Sequence, residues 1–268
     1  MYKIRRLHHS QNFLRDPELV KKLLRKSSIG KKDTVFEIGP GKGIITRELI
    51  RVAGYVISLE LDDKLYGYLK KDLQDTYNSE LIHGNILNYK LPNYPYKVFA
   101  NIPFSITADI IRKLTSDRNF HEGYLIVQKE FAQKVIGIPY DTKNQMMSVL
   151  LKPWFDVSVF YEFTRNDFYP RPNIDTTMIR INRVRYPMVS GQNKRLYENF
   201  VLYTFNKSKV SHLSNPNFLK LYEKYLRRNN PNETRLVDSE AERIRNFQNK
   251  LEKIHRTRND RNWRRFKK

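Results

Sequence analysis

The chain has 268 residues, with 50 lysines and arginines against 28 aspartates and glutamates, for a formal charge of +22. That length supports one large domain, or one with a smaller companion, and buries a real core; the charge favours a polyanionic partner, nucleic acid above all, over a membrane surface. With no cysteine there is no disulfide framework, thiolate zinc site or cysteine nucleophile, and the basic start MYKIRRLHHS lacks the apolar stretch of a signal peptide, so a soluble cytoplasmic protein is expected.

Residues 17–29 read as a helix, with Pro17 in its first turn and Leu19, Val20, Leu23 and Leu24 on one face. Residues 34–38 (TVFEI) read as a short buried strand, followed by a glycine turn and an amphipathic helix over 44–52. Residues 55–60 form the next strand and 63–73 the next helix; 81–83 make a weaker strand, 96–100 another, and 107–115 a helix. Residues 123–127 give a further strand and 129–137 a helix. This alternation predicts a doubly wound, mostly parallel sheet. Two β-rich runs, 154–163 and 176–183, predict a terminal antiparallel hairpin, with the rigid aromatic loop Phe168-Tyr169-Pro170-Arg171-Pro172 between them. Beyond residue 184 the strand signal fades, and 193–206, 216–228 and 238–255 read as polar helices of a small C-terminal domain. The tail from Arg256 to Lys268 carries seven basic residues and one acid around Trp263 and Phe266, which suits either a solvated end or an RNA-contacting arm.

Glu37-Ile38-Gly39-Pro40-Gly41-Lys42-Gly43 lies between a strand and a helix. Its glycines let the backbone turn tightly and approach a ligand closely. Ile44 stands where a dinucleotide fingerprint needs its third glycine, which argues against NAD, and the turn lacks the ending of a P-loop. Glu60, at the end of the second strand, is placed to bind ribose hydroxyls. Asn85, after the third strand, can hydrogen-bond an adenine amine with Ile86 packed on the ring. Asn101 follows the fourth strand, so Gly39, Glu60, Asn85 and Asn101 converge on the carboxyl edge of one sheet, where ligands bind in this fold class.

Asn101-Ile102-Pro103-Phe104 joins an amide, a proline-fixed turn and an aromatic. That set suits methylation of an exocyclic amine on a flat base. Such a nitrogen is a poor nucleophile because its lone pair is delocalised into the ring. An amide oxygen and a backbone carbonyl that accept its hydrogens localise the lone pair, while an aromatic face holds the ring. The alternative is a strand-end turn whose aromatic packs inward.

These motifs, with Ser10-Gln11-Asn12-Phe13-Leu14, Leu59-Glu60-Leu61-Asp62, Gly84-Asn85-Ile86-Leu87, Asn101–Thr107 (NIPFSIT) and Phe168–Asp175, resemble the rRNA adenine N6-dimethyltransferases, the superfamily of the Erm and KsgA enzymes, over roughly residues 10–182. The resemblance implies a Rossmann-like class I methyltransferase sheet with a small C-terminal helical domain: a catalytic domain over 1–183, a helical rRNA-binding domain over 184–255 and a basic tail over 256–268. It implies S-adenosylmethionine as methyl donor, with no metal. Gln11, Asn12 and Leu14 would cover the cofactor from an N-terminal arm. Gly39 and Gly41 would approach its methionine part, Glu60 and Leu61 its ribose side, and Asn85 and Ile86 its adenine. Asn101, Ile102, Pro103 and Phe104 would be the catalytic residues, with Asn101 bridging the cofactor and the target amine and Phe104 stacking on the target adenine.

Three features resemble the Erm branch: Lys42 in the glycine turn, the NIPFSIT run and the basic tail. They imply N6-methylation or dimethylation of one 23S rRNA adenine, on protein-free or early precursor RNA, by a monomer, with macrolide-lincosamide-streptogramin B resistance as the consequence. A KsgA-like enzyme acting on 16S rRNA, or a non-catalytic RNA-binding factor of the same fold, are the alternatives. Asn85 stands where the family usually has Asp, Ser10 where it has Gly, and Phe104 where Tyr is commoner.

Overall fold

The computed structural model describes residues 12–137, 146–208, 210 and 212–250, with residues 248–250 described through their helix backbone only. Gln11, Ser10 and the tail Arg256–Lys268 lie outside the described residues. In chain order the elements are β1 (Phe13–Leu14), α1 (Pro17–Lys26), β2 (Thr34–Ile38), α2 (Ile44–Val52), β3 (Tyr55–Glu60), α3 (Asp63–Asp72), β4 (Ser79–His83), β5 (Tyr96–Asn101), α4 (Thr107–Ser116), β6 (Phe120–Gln128), α5 (Lys129–Ile136), α6 (Met146–Leu151), β7 (Phe155–Glu162), β8 (Phe168–Tyr169), β9 (Thr176–Arg183), α7 (Lys194–Lys207), α8 (Asn215–Arg228) and α9 (Pro231–Lys250).

Seven strands form one sheet in the order β4-β3-β2-β5-β6-β9-β7. The first five run parallel, while β9 pairs antiparallel with both β6 and β7. The expected hairpin is therefore present, with its second strand inserted between the first and the parallel sheet. Chain order reverses between β2 and β5, which opens a crevice at their carboxyl ends.

Both faces of the sheet are covered, so its central strands are apolar on both sides. Phe36, Ile38, Val98 and Ala100 face one core cluster with Ile110, Ile111 and Leu114 of α4. Val35, Val56 and Phe99 face the other, with Leu19, Val20, Leu23 and Leu24 of α1 and Leu49 of α2. The first cluster continues into the C-terminal helices through Tyr197, Phe200, Phe218, Tyr222 and Val237. Tyr197 sits edge-on to Trp154 at 5.5 Å and its hydroxyl donates to the Val149 carbonyl at 3.0 Å. The C-terminal helices are thus polar outside and aromatic inside.

Several boundaries differ from the expectation. The last helix begins at Pro231, not 238. Asn230 caps it, its side-chain oxygen accepting from Asn232 and Glu233 N–H, and proline suits the first turn; this cap precedes the first apolar repeat, so periodicity starts the helix late. The strand β6 begins three residues before Gly123, at buried Phe120. Two-residue strands β1 and β8, and helix α6, were not expected. No helix among the described residues is long and apolar enough to cross a membrane.

Candidate active site

The carboxyl ends of β2, β3 and β5, with the loop after β4, surround a cavity of about 380 Å³, within the range of cofactor and ligand sites. Gly39, Gly41, Glu60, Leu61, Asn85, Ile86, Asn101, Ile102, Pro103, Phe104 and Asn12 all line it. Gly39, Glu60, Asn85 and Asn101 lie together at one sheet edge, as their places after the strands predict, and the strand registers show why. Ile38 aligns with Leu59, Glu60 with His83, and Asn101 with Ile126, so the strands end nearly level.

Gly39 and Gly41 have φ of +69° and +60°, backbone that side chains with a Cβ avoid. A Cβ on Gly39 would meet nothing within 4 Å, so its bare backbone borders open space. A Cβ on Gly41 would lie 2.5 Å from the Phe13 ring. That glycine therefore admits the N-terminal arm as well as the turn.

Glu60 is buried, 3% exposed. One carboxylate oxygen accepts from Gly41 N–H at 2.9 Å, and the other from Leu61 and Asp62 N–H, each at 2.9 Å. An ionised carboxylate accepts about four hydrogen bonds, so acceptor capacity remains for a ribose hydroxyl on a side chain already fixed in place. Glu37, one strand over, is different in kind. It is buried, lies outside the cavity lining and accepts from the Ser58 hydroxyl at 2.8 Å; burial pushes its carboxyl up to about 7.

Asn85 is half-buried beside the buried Ile86. Its side-chain oxygen accepts from Leu87 N–H at 2.9 Å, an Asx turn. The amide nitrogen is thus the end left to serve as donor, while an exocyclic adenine amine asks for an acceptor. Replacing Asn85 by Asp keeps the turn and adds a charged acceptor, and charged hydrogen bonds are roughly twice as strong as neutral ones. Asn85→Asp is expected to tighten S-adenosylmethionine binding by about three- to tenfold, read by calorimetry; weaker binding would refute this account of the residue.

The Asn101–Phe104 turn is held from below by Ile102, 2% exposed. The Pro103 carbonyl accepts from Ile106 N–H at 3.2 Å, and the Thr107 hydroxyl donates to the Phe104 carbonyl at 3.2 Å, so Phe104–Ile106 is a short 3-10 turn leading into α4. Phe104 is half-buried and borders the cavity, rather than packing inward. The Asn101 side-chain nitrogen donates to the Asn12 carbonyl at 2.6 Å.

The Leu14 side chain is 4% exposed and belongs to a core cluster with Phe168. Successive side chains of a strand face opposite ways, and in β1 it is Phe13 that borders the cavity. Phe13, Ile38, Leu59, Asp62, Asp63, Lys64, Gly84 and Ile106 complete the lining. Phe13 had a signal in the sequence, its place inside the Gln11–Leu14 motif, but not the facing of its ring.

The bare glycine backbone, the preset carboxylate and the apolar wall at Ile86 fit a nucleoside-bearing cofactor such as S-adenosylmethionine. Residues 3–240 match the family model described as ribosomal RNA adenine dimethylase. The chain is 33% identical over 211 residues to an rRNA adenine N-6-methyltransferase of Limosilactobacillus reuteri, covering 78% of this chain and 84% of that protein. It is 33% identical over 202 residues to ribosomal RNA small subunit methyltransferase A of Clostridium botulinum, covering 73% and 74%. In structure it is similar to the 23S rRNA methyltransferase ErmE, with a TM-score of 0.66 and 28% identity over 73% of this chain and 79% of that one. With the family model matching most of its length, the chain belongs to the ribosomal RNA adenine dimethylase family of S-adenosylmethionine-dependent methyltransferases.

Proposed function

We propose that this protein methylates and dimethylates N6 of a specific adenine in 23S rRNA, with macrolide-lincosamide-streptogramin B resistance as the consequence. The observation that carries the chemistry is one cavity with two unlike walls. Gly39, Gly41, Glu60, Asn85 and Ile86 make the cofactor wall, and Asn101–Phe104 make the base wall. When bound, S-adenosylmethionine supplies an electrophilic methyl group on a sulfonium. The Asn101 side-chain oxygen and a main-chain carbonyl of its turn accept hydrogen bonds from the amine and orient its lone pair. Phe104 stacks on the adenine once it has left its helix. No base need act first, because the amine proton becomes acidic only after the nitrogen gains positive charge. Much of the rate then comes from positioning.

The polyanion is held elsewhere. Helix α8 turns Phe218, Tyr222 and Tyr225 inward and leaves Lys220, Lys224 and Arg227 exposed. We assign residues 184–255 and the tail to phosphate contacts, which give affinity more than sequence choice, and residues 1–183 to catalysis.

Resemblance of NIPFSIT to Erm sequences favours 23S rRNA. The comparable identity to a small-subunit enzyme favours a KsgA-like reading, so the test must separate the two. Labelled S-adenosylmethionine is incubated with protein-free 23S rRNA or with 30S particles, and the labelled adenine is mapped. Label in 23S rRNA supports the proposal. Label only in 30S particles transfers the enzyme to the KsgA branch, and label in neither leaves a non-catalytic RNA-binding factor. Stacking on an aromatic is worth roughly 1–3 kcal/mol per base. Phe104→Ala is therefore expected to lower kcat/KM by about ten- to a hundredfold, and Phe104→Tyr to stay within about threefold of the parent, since the ring alone stacks.

A further inference from the structure

We propose that the main-chain carbonyl of Asn12 is a positioning group for catalysis: it selects which end of the Asn101 amide faces the target amine. This rests on the reading of Asn101 as the acceptor. An asparagine amide has two ends of nearly equal shape and opposite function, a donor nitrogen and an acceptor oxygen. Only the oxygen can accept a hydrogen from the amine being methylated. The Asn12 carbonyl lies 2.6 Å from the Asn101 side-chain nitrogen. Rotating the amide by half a turn would set two oxygens face to face at that distance, so the carbonyl holds the nitrogen and leaves the oxygen for the base.

The N-terminal arm that carries this carbonyl is fixed on three sides. Phe13 pairs with Tyr169 and Leu14 with Phe168 in the β1–β8 ribbon. Arg15 N–H donates to the Asp167 carbonyl at 3.0 Å. The Phe13 ring lies against the bare backbone of Gly41, where a Cβ would come within 2.5 Å of it. Asn12 and Phe13 themselves line the cavity. The same two residues thus touch the glycine turn of the cofactor wall and the amide of the base wall, and the arm's contribution to the amide is a backbone atom that no side-chain comparison reveals.

The selection has a chemical consequence that a merely structural contact would lack. A carboxylate at position 101 has no donor to offer Asn12. Facing a carbonyl at hydrogen-bond distance, it is favoured in its protonated form and its pKa is raised above the ordinary carboxylate value. Protonated, it reproduces the amide: the O–H donates to Asn12 and the other oxygen accepts from the base. Ionised, it is repelled from Asn12 and misplaced.

The test is the pH profile of Asn101→Asp in the full chain, with single-turnover methylation of 23S rRNA at saturating S-adenosylmethionine between about pH 5.5 and 8.5. The ratio of variant to parent rate is expected to be lowest at high pH and to rise by about tenfold for each unit of fall in pH above the variant's pKa. A ratio that is flat, rises with pH or stays near one overturns the proposal. A double-mutant cycle with Phe13→Ala gives a second reading. At high pH, loosening the arm is expected to cost the parent enzyme more than it costs Asn101→Asp, because the ionised variant has no productive bond to Asn12 to lose; equal costs there overturn the proposal. Asn101→Ala keeps the two levels apart. If it retains turnover, the reading of Asn101 as acceptor fails. If it is inactive while Asn101→Asp shows a flat ratio, only the role of Asn12 fails.

Discussion

Asn101→Ala is expected to lower the rate of methyl transfer by about a thousandfold or more, while the protein still folds and binds rRNA. The magnitude follows from what is removed. Taking away one preorganised hydrogen-bonding group aimed at developing charge costs on the order of a hundred- to a thousandfold in comparable sites. On the proposed mechanism the lost oxygen would both localise the amine lone pair and fix its direction, so the loss sits at the upper end. The fold should survive, because Asn101 ends β5 at the rim and is only half-buried, whereas Val98, Phe99 and Ala100 behind it carry the core contacts. Binding of RNA should survive because phosphate contacts supply most of it. Single-turnover rates and filter binding on one preparation separate the two. Residual turnover within tenfold of the parent would show that N6 is activated some other way.

How much of this was legible in the sequence depends on the range of the interaction concerned. Thr34–Ile38, Ile44–Val52 and Tyr55–Glu60 were read to the residue, because a buried parallel strand, a glycine turn and an amphipathic helix each leave a local pattern. The convergence of Glu60, Asn85 and Asn101 was legible for the same reason: a parallel sheet places consecutive strand ends on one edge. The β1–β8 ribbon was not, since two residues have no period and its partners are distant in the chain. Without that ribbon the facing of the Phe13 and Leu14 side chains is not legible. The orientation of the Asn101 amide was equally hidden, because the carbonyl to which its nitrogen donates lies 89 residues away. Asn85 shows an intermediate case. Its turn role is a local pattern, but only the bond to Leu87 N–H shows that its oxygen is already engaged.

Glu60→Ala is expected to weaken S-adenosylmethionine binding by about a hundredfold and to destabilise the protein by about 2–4 kcal/mol, counting about 1 kcal/mol for each N–H left without its carboxylate partner. The three donors are Gly41, Leu61 and Asp62. Two of them directly follow the end of β3 and one belongs to the glycine turn, so the carboxylate ties the turn to the neighbouring strand as well as facing the cavity. Water entering from the cavity can satisfy part of what is lost, which keeps the cost below that of a closed core site. Glu60→Gln decides between shape and chemistry. It keeps the volume, but one end becomes an NH2 group opposed to a backbone N–H, so either Gly41 or the Leu61–Asp62 pair loses its acceptor. Glu60→Gln is therefore expected to lose most of the affinity too, read by calorimetry and by urea denaturation; binding within about threefold of the parent would remove the carboxylate from the cofactor wall. The kinetic pattern should be the inverse of that for Asn101→Ala. At saturating S-adenosylmethionine the Glu60 variants are expected to recover a kcat near the parent's, because Glu60 contributes binding that is equal in ground and transition states. If kcat instead stays low at saturation, the cofactor wall also sets the line of attack, and the division of this cavity into a binding half and a reacting half would have to be withdrawn.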